Sequence, residues 1–503
     1  MILTIFSAQG WESWDIAHRP LIPKRMPVLI DDDLRLEDGP AAPRPTVVVN
    51  RWLRELPASG APAPSSWQSY ARALKEWMEF LAQHGVELFD TRERLKLGLS
   101  RYAEHRAGGP LKARFAASTW GQHMSILSMF YRWALAEGHA QAEPFTYKTA
   151  RALFAGTSRQ VRVNLAVRRR PKPHVTIKYL EPDFTELFVR GLRGLAPDGT
   201  ADSRYWGREV ARNAAVGELA LATGLRLQEF SYLLAFEIPP LPPAPTAVPI
   251  PFAAPAGVTK GRKFRTTWIS YQALAAVHHY LELDRAATVD GAAWRPPARW
   301  GEPLQVSEPD SRGGRINGVR RAWDALTPPE RRRLVAPGGG SCLLAVKAGG
   351  GPFTAWATVF SRTADRIRAR FEPRFPHVHP HRLRHTFAMR TLEYLVSGHY
   401  RQAAKLITAT DADAALALYL SKADPLLVLR DLLGHSSVLV TEKYLRRLDT
   451  TRIYREAYQR AGAAEGLLAD AGDSTDEAER EADAEFAGDL DNDVEDDLED
   501  EGV

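Results

Sequence analysis

The chain has few of the features that mark exported or membrane proteins. Its 503 residues include one cysteine, Cys342, so no internal disulfide can form, and this usage fits a reducing cytosol. No apolar run approaches the ~20 residues that a membrane-spanning helix needs. The first residues lack the basic segment and the apolar run of a signal peptide. We therefore expect a cytoplasmic protein without membrane contact.

Charge is divided unevenly along the chain. Residues 465–503 hold 18 acidic side chains against one basic side chain, a net charge of −17. The rest carries 65 Lys and Arg against 43 Asp and Glu, a net charge of +22. A basic body indicates a polyanionic partner, although a merely solvated basic face would give the same count. The acidic stretch predicts a disordered tail.

The length allows two or three domains, each with its own core. Two strong helical patterns begin near Ser65 and Ser118 and end at Gly85 and Gly138, with aromatic residues at three- and four-residue spacing. Their aromatic stripes predict a core more than a base-stacking surface. We divide the chain into an irregular arm (1–44), a helical domain (45–150), a basic linker (151–178), a second domain (179–463) and the acidic tail (464–503).

The linker is the densest basic segment. Prolines at 171 and 173 keep it extended. Such a segment can lie along a phosphate backbone, and a solvated linker is the alternative. The candidate DNA-contacting residues here are Arg159, Arg162, Arg168, Arg169, Arg170 and Lys172.

The second domain is interrupted twice. Helices are predicted from Pro182 and up to Gly224. Residues 239–257 hold eight prolines, which predicts a surface loop and no central strand or helix. A strand is predicted after the glycine turn in 258–268, and residues 285–350 are an elaborated insertion. Helices resume at 354–371 and continue to about residue 463, so the whole chain is predicted to be mainly α with a small antiparallel β-sheet (an α+β catalytic domain).

Four short segments of this domain carry most of its chemistry. They are TGLRLQEF (223–230), VTKGRKFRTTW (258–268), HPHRLRHTFA (379–388) and LLGHSSVLVTEKYL (432–445). Together they supply Arg226, Lys260, His381, Arg384, His435 and Tyr444. A nucleophile, two guanidinium groups, a lysine and two imidazoles, without a carboxylate cluster for a metal, suit phosphoryl transfer on nucleic acid with no cofactor.

Each residue type matches one demand of cleaving a phosphodiester with tyrosine. The phenol has a pKa near ~10 and must lose its proton during attack. Arg226 and Arg384 can neutralise the non-bridging oxygens, because a guanidinium binds two oxygens and stays charged. Lys260 can protonate the leaving 5′-oxygen, while the two histidines can assist proton transfer or bind phosphate. Electrostatic preorganisation then replaces the metal.

The ordered set resembles the tyrosine recombinases, or phage-type integrases. TGLR followed by Glu229, K-G-x-K-x-R, HxxR, LLGH and a tyrosine nine residues after His435 carry the resemblance. It covers roughly residues 60–460, and residues 65–138 resemble the core-binding domain of that family. The chain departs from the family pattern in three segments: the proline loop 239–257, the insertion 285–350 and extra residues at 392–425.

The resemblance implies site-specific strand exchange on double-stranded DNA through a 3′-phosphotyrosine at Tyr444, in the integration or excision of a mobile element. Arg226 and Arg384 would hold the phosphate, Lys260 would be the general acid, His381 would assist proton transfer and His435 would bind phosphate. It also implies four protomers on two DNA sites, accessory recombination proteins and a nucleoid location. Topoisomerase-like relaxation of the type IB kind, or a non-catalytic DNA-binding regulator, are the alternatives.

Some assignments have rivals in the sequence. Arg262, Lys263 or Arg265 could replace Lys260, and Arg262 and Lys263 are also candidate DNA contacts. Tyr454 and Tyr458 compete with Tyr444. His435 could be a simple helix cap. The histidines at 377, 379, 381 and 385 could hold a metal, but no acidic residue accompanies them.

Overall fold

A computed structural model describes residues 1–6, 22, 25–34, 43–59, 64–154, 157–167, 177–398, 423–435, 437–442 and 444–445. The chain divides into two compact units, one starting at Met1 and running to Pro173, and one spanning His174–Gly472. The rival tyrosines Tyr454 and Tyr458 and the acidic tail lie outside the described residues, as do four candidate DNA contacts, Arg168, Arg169, Arg170 and Lys172.

The first unit contains four helices and two strand pairs among its described residues. The helices are α1 (Pro45–Glu55), α2 (Pro64–Gln83), α3 (Arg92–Arg106) and α4 (Ala117–Ala136). The strands are β1 (Ile2–Ile5), β2 (Pro27–Ile30), β3 (Tyr147–Phe154) and β4 (Thr157–Asn164). The glycines at 85 and 138 adopt positive φ just after α2 and α4, as the sequence predicted for both helix ends.

The aromatic stripes of α2 and α4 face the core of this unit, which confirms the core interpretation. Trp77 and Tyr131 are fully buried. Trp77 Nε1 donates to Tyr131 Oη at 3.1 Å, and Tyr131 Oη donates to Leu88 O at 2.8 Å. Because the indole N–H of Trp77 and the hydroxyl of Tyr131 both have partners, these two rings contribute burial energy without an unpaired donor.

Two segments expected to be irregular or extended contain strands. In the arm, β1 pairs antiparallel with β2, from Ile2 opposite Ile30 to Ile5 opposite Pro27. Leu29 of β2 is buried in the core of this unit, so the strand pair packs on that core. At the other end β3 pairs with β4, so part of the predicted basic linker is the second strand of a hairpin. Its alternating β-branched residues favour that strand.

The second unit holds the remaining elements. Its described helices are α5 (Pro182–Leu192), α6 (Val210–Thr223), α7 (Leu227–Ser231), α8 (Tyr271–Tyr280), α9 (Ala286–Val289), α10 (Pro328–Arg331), α11 (Trp356–Arg370), α12 (Pro380–Val396), α13 (Pro425–Leu433) and α14 (Val438–Glu442). Its described strands are β5 (Ile250–Ala254), β6 (Arg265–Ile269), β7 (Leu304–Ser307), β8 (Gly313–Ile316), β9 (Val319–Ala322) and β10 (Leu334–Val335). Helices α6 and α12 pack together at the centre.

The proline-rich segment ends in a strand, contrary to the loop prediction. β5 pairs antiparallel with β6, with Pro251 opposite Trp268. Pro251 is exposed, and within the described part of the chain this sheet consists of β5 and β6. A proline is tolerated there because an outer edge does not need its missing N–H. Phe252 and Ala254 point inward and are buried.

The insertion forms a small sheet with its own core. The strand order is β10-β7-β8-β9, antiparallel except that β10 runs parallel to β7. Its buried residues include Trp323 and Cys342, and burial raises the pKa of the Cys342 thiol to about 12. Arg331, fully buried, binds both carboxylate oxygens of Glu237 at 2.6 and 2.8 Å, which ties the insertion to the segment after α7. The mainly helical fold with small, largely antiparallel sheets is the predicted fold class.

Candidate functional site

Arg226 lies at the junction of α6 and α7. Gly224 ends α6 with φ 60°, and a Cβ at that position would lie 2.3 Å from Phe387 Cδ1, so both conformation and space require glycine. Arg226 is then the residue that caps α7. Its backbone N–H donates to Glu229 Oε2 at 2.7 Å, and its Nη1 donates to Glu229 Oε1 at 3.1 Å. These two bonds fix the position of the arginine at the start of the helix.

The carboxylate of Glu229 lies among three arginines, Arg226, Arg265 and Arg384. It is 1% exposed and also accepts both terminal nitrogens of Arg265, at 2.7 Å from Nη1 to Oε1 and through a second bond from Nη2 to Oε2. Burial alone would raise its pKa, but the bonds and charge of Arg265, with the charges of Arg384 and Arg226, lower the pKa of Glu229 to about 2. The carboxylate is therefore ionised at neutral pH.

Arg384, on α12, joins two of the sequence motifs. Its Nη1 donates to Gly224 O at 2.6 Å, and its Nη2 donates to Leu433 O. Leu433 lies two residues before His435, so one guanidinium holds the TGLR and LLGH segments together. Arg384 is 2% exposed, and burial followed by the charge of Arg226 lowers its pKa to about 9. It stays protonated at neutral pH, with donors left for a further acceptor.

Tyr444 is buried beside two histidines. Its Oη lies 2.8 Å from His385 Nδ1, a hydrogen bond that the phenol donates when Nδ1 carries no proton. The His435 ring is parallel to the Tyr444 ring at 6.4 Å, and His435 Nδ1 lies 3.0 Å from Thr441 Oγ1. Burial raises the pKa of Tyr444 to about 12, while the charges of Arg384 and Arg226 act in the opposite direction. Tyr444 is thus protonated at rest, and both arginines are close enough to act on it electrostatically.

His381 and Lys260 lie on two of the elements that carry this group, α12 and the turn before β6. His381 is half-buried on α12, and its ring lies 4.5 Å from the ring of His385. Lys260 is exposed in the turn Lys260–Arg262. Gln228 Nε2 of α7 donates to Val258 O at 2.9 Å, which holds the start of this turn beside the helix that Arg226 caps.

The described candidate DNA contacts belong to two different units, Arg159 and Arg162 to the first and Arg262 and Lys263 to the second. Arg262 and Lys263 are exposed next to Lys260. Arg162 is exposed on β4, where its guanidinium lies 4.4 Å from the Tyr147 ring centre. Arg159 is also part of β4. Within the part of the chain that is described, no group of three or more His, Cys, Asp or Glu is arranged to hold a metal ion.

Two residues of this site have contacts that the sequence did not predict. Arg265 appeared only as a rival to Lys260, but it binds Glu229 and donates from Nε to Leu432 O at 3.2 Å. His385 was predicted only as a possible metal ligand together with His381, but it contacts Tyr444. The spacing of four residues between His381 and His385 could have predicted that both lie on the face of α12 that meets the site. No local signal could have predicted that Arg265 binds Glu229, because 36 residues separate the two in the sequence.

Residues 49–138 match the family described as phage integrase, N-terminal SAM-like domain. This match confirms the predicted resemblance to phage-type integrases over the helical domain. No curated protein matches the chain. Among the described residues, no helix is both long and apolar enough to cross a membrane.

Several solved structures are similar to the chain at low identity. One is XerH site-specific recombinase bound to palindromic difH substrate in a post-cleavage complex, at 13% identity over 84% of this chain and 86% of that chain, with a TM-score of 0.43. XerA recombinase is 15% identical over 82% and 98%, with a TM-score of 0.31. The Tn1549 transposon integrase in complex with circular intermediate DNA is 15% identical over 79% and 94%, with a TM-score of 0.40.

Proposed function

We propose that this chain, which carries a phage-integrase SAM-like domain at residues 49–138, is a tyrosine-type site-specific DNA recombinase. It would cleave and rejoin DNA through a 3′-phosphotyrosine at Tyr444, in the integration or excision of a mobile element. The observation that carries the proposal is Arg384, which bonds to the backbone on either side of the site, at Gly224 and Leu433. One buried cation thus brings Arg226, His435 and Tyr444 into one group.

The cationic cluster suits the phosphate of the attacked strand. Three guanidinium groups, those of Arg226, Arg265 and Arg384, surround the one carboxylate of Glu229. The excess positive charge lies in a poorly solvated region, where it stabilises an anion more strongly than in water. We assign Arg226 and Arg384 to the scissile phosphate and Arg265 to holding Glu229. His435, ordered by Thr441, would add a further donor to a phosphate oxygen.

The nucleophile needs a proton acceptor, because a phenol with a pKa near 12 is almost wholly protonated at neutral pH. His385 Nδ1, at 2.8 Å, supports a role as that acceptor, with His381 next to it for onward proton transfer. Tyr444 is 1% exposed in the DNA-free chain, so DNA binding must first open its surroundings.

The reaction would balance without a cofactor. Tyr444 Oη attacks phosphorus and gives up its proton, the bond from phosphorus to the 5′-oxygen breaks, and Lys260 protonates that oxygen. A 5′-hydroxyl from the partner strand then attacks the phosphotyrosine and releases Tyr444. Each step exchanges one phosphodiester for another, so no ATP is consumed. Four protomers on two DNA sites, accessory proteins and a cytoplasmic, nucleoid-associated location complete the proposal.

The experiment uses a library of short duplexes with randomised sequence and a nick that prevents religation. Wild-type protein should form adducts that resist detergent, and sequencing the captured DNA gives a working substrate. Tyr444→Phe keeps the buried ring but removes the attacking oxygen. Adducts should vanish while binding of the captured duplex persists.

Tyr454→Phe and Tyr458→Phe are the matched controls and should retain adduct formation. Adducts in Tyr444→Phe that map to either residue would transfer the nucleophile there. Relaxation of supercoiled DNA without strand exchange would favour the topoisomerase alternative. DNA binding without any adduct in the wild-type protein would favour the regulator.

A further inference from the structure

The insertion touches the turn that carries Lys260. Ala256 N donates to Asp324 Oδ1 at 2.9 Å, and Arg262 Nη2 donates to Ala325 O at 3.2 Å. Between these bonds the two backbones meet at Gly257, where a Cβ would lie 2.3 Å from Leu326 O. A side chain at 257 would force the segments apart, so the close approach depends on glycine. The segment 323–326 therefore lies against one side of the turn at 256–262.

Buried Arg331 binds the same segment, 323–326, and also the residue directly after α7. Arg331 Nη2 donates to Trp323 O at 2.8 Å, and Arg331 Nε donates to Leu326 O at 3.3 Å. Arg331 Nη1 also donates to Tyr232 O at 3.1 Å, directly after α7, in addition to the pair with Glu237. The fully buried guanidinium thus holds the segment 323–326 in a fixed relation to α7.

The turn is held from the opposite direction by α7 itself, through the bond from Gln228 to Val258 O. Within the turn, Thr259 Oγ1 is 2.8 Å from Lys263 O and 3.1 Å from Ala256 O, which keeps its ends together. A closed series of bonds therefore runs from α7 through Arg331 and Asp324 to the turn and back to α7. Arg226, which caps α7, and Lys260, in the turn, both lie on segments that this series joins.

We propose that Asp324 is a positioning residue that fixes the Lys260 turn for proton delivery to the leaving oxygen. The insertion, which departs from the pattern of the resembled family, would thus act on the chemistry through its contact with the turn. A lysine on an unsupported turn samples many positions, and proton transfer requires hydrogen-bond reach. The inference rests on the proposed role of Lys260.

The test compares two substrates of the captured sequence. One is normal DNA, and the other has sulfur in place of the 5′-bridging oxygen, a leaving group that needs no acid. For Asp324→Ala we expect cleavage of normal DNA to fall roughly tenfold, equal to about 1.4 kcal/mol. Cleavage of the sulfur substrate should stay within about twofold of wild type. Lys260→Ala is the reference and should show the same selective loss in larger measure.

Three further variants separate positioning from other effects. Asp324→Asn keeps an acceptor for Ala256 N but loses the charge, so it should restore activity on normal DNA. Asp198→Ala is the matched control, because exposed Asp198 likewise accepts a backbone N–H, that of Thr200 at 2.9 Å, in a turn of the same unit. It should cleave both substrates as wild type does. Gly257→Ala, which separates the segments directly, should reproduce the selective loss.

Hydrogen exchange of residues 252–264 in the DNA-free protein gives a readout that does not need activity. Asp324→Ala should increase exchange there, and Asp198→Ala should not. Equal losses on both substrates, or increased exchange with an unchanged preference, would overturn the positioning role. If wild-type protein cleaves neither substrate, the proposed function fails, and unchanged exchange in Asp324→Ala would separately refute the anchoring of the turn.

Discussion

Replacing Glu229 with glutamine tests the electrostatic design of the site most directly. The change keeps the shape of the side chain but removes the negative charge that lies among Arg226, Arg265 and Arg384. In the wild-type protein the pKa of Glu229 falls from 4.5 to about 2, which corresponds to roughly 3 kcal/mol of stabilisation at neutral pH. Removing one partner of a buried ion pair typically costs about 3–5 kcal/mol, so we expect a loss in that range.

The pH dependence provides a second, signed test. Because the folded-state pKa lies below the unfolded value, the stabilisation is complete above pH 4.5 and is lost as the pH falls toward about 2. Glu229→Gln should lack this part of the acid sensitivity. The two proteins should therefore differ most at neutral pH and converge in acid.

The assay is urea unfolding followed by segment-resolved hydrogen exchange, since two compact units need not unfold together. Glu218→Gln is the matched control. Its pair with Arg193, 2.5 Å long, involves a half-exposed arginine, so its removal should cost at most about 1 kcal/mol. Sulfate should partly restore the stability of Glu229→Gln, because the anion can bind the arginines in place of the lost carboxylate. An unchanged free energy of unfolding and an unchanged acid profile would refute the role given to Glu229.

Two further predictions concern the cofactor and the acidic tail. Cleavage of the nicked substrate should proceed in excess EDTA, because the site supplies cations from its own side chains, and strict dependence on added magnesium would contradict the mechanism. Deleting residues 468–503 should tighten nonspecific DNA binding at low salt and have a smaller effect as salt rises, because a tethered polyanion competes with DNA for the basic body; unchanged affinity at low salt would leave the tail with a solubilising role.

Local signals in the sequence predicted the helices well. The ends of α2, α4 and α6 follow from glycines that adopt positive φ, a property of one residue and its neighbours. The aromatic stripes likewise identified the core of the first unit. Failures occurred where a partner distant in sequence decides the structure. Pro251 predicted a loop, but its segment forms a strand because it pairs with β6. Likewise, β1 is a strand because it pairs with β2.

In the site, too, local features could be predicted and contacts between distant residues could not. The motif residues could be selected because each brings a recognisable chemical group at a fixed local spacing. Their contacts could not be predicted, since Arg384 bonds to Gly224, 160 residues earlier. The contact between Asp324 and Ala256 spans 68 residues and belongs to an insertion that has no counterpart in the motifs. The rotation of α12 about its axis decides whether His381 or His385 contacts Tyr444. Because the two histidines are four residues apart on one helix face, the sequence alone could not choose between them.

The bond from Arg384 to Leu433 also bears on how this chain can change in length. It spans 49 positions, including the whole stretch between Gly398 and Ala423, and α12 packs directly on α13. The placement of the LLGH segment is therefore held by a direct contact with α12. For a flexible loop in general, doubling the length costs only about 0.6 kcal/mol in closure entropy. Insertions and deletions can accumulate there across descendants while the distance from Arg384 to Tyr444 is kept.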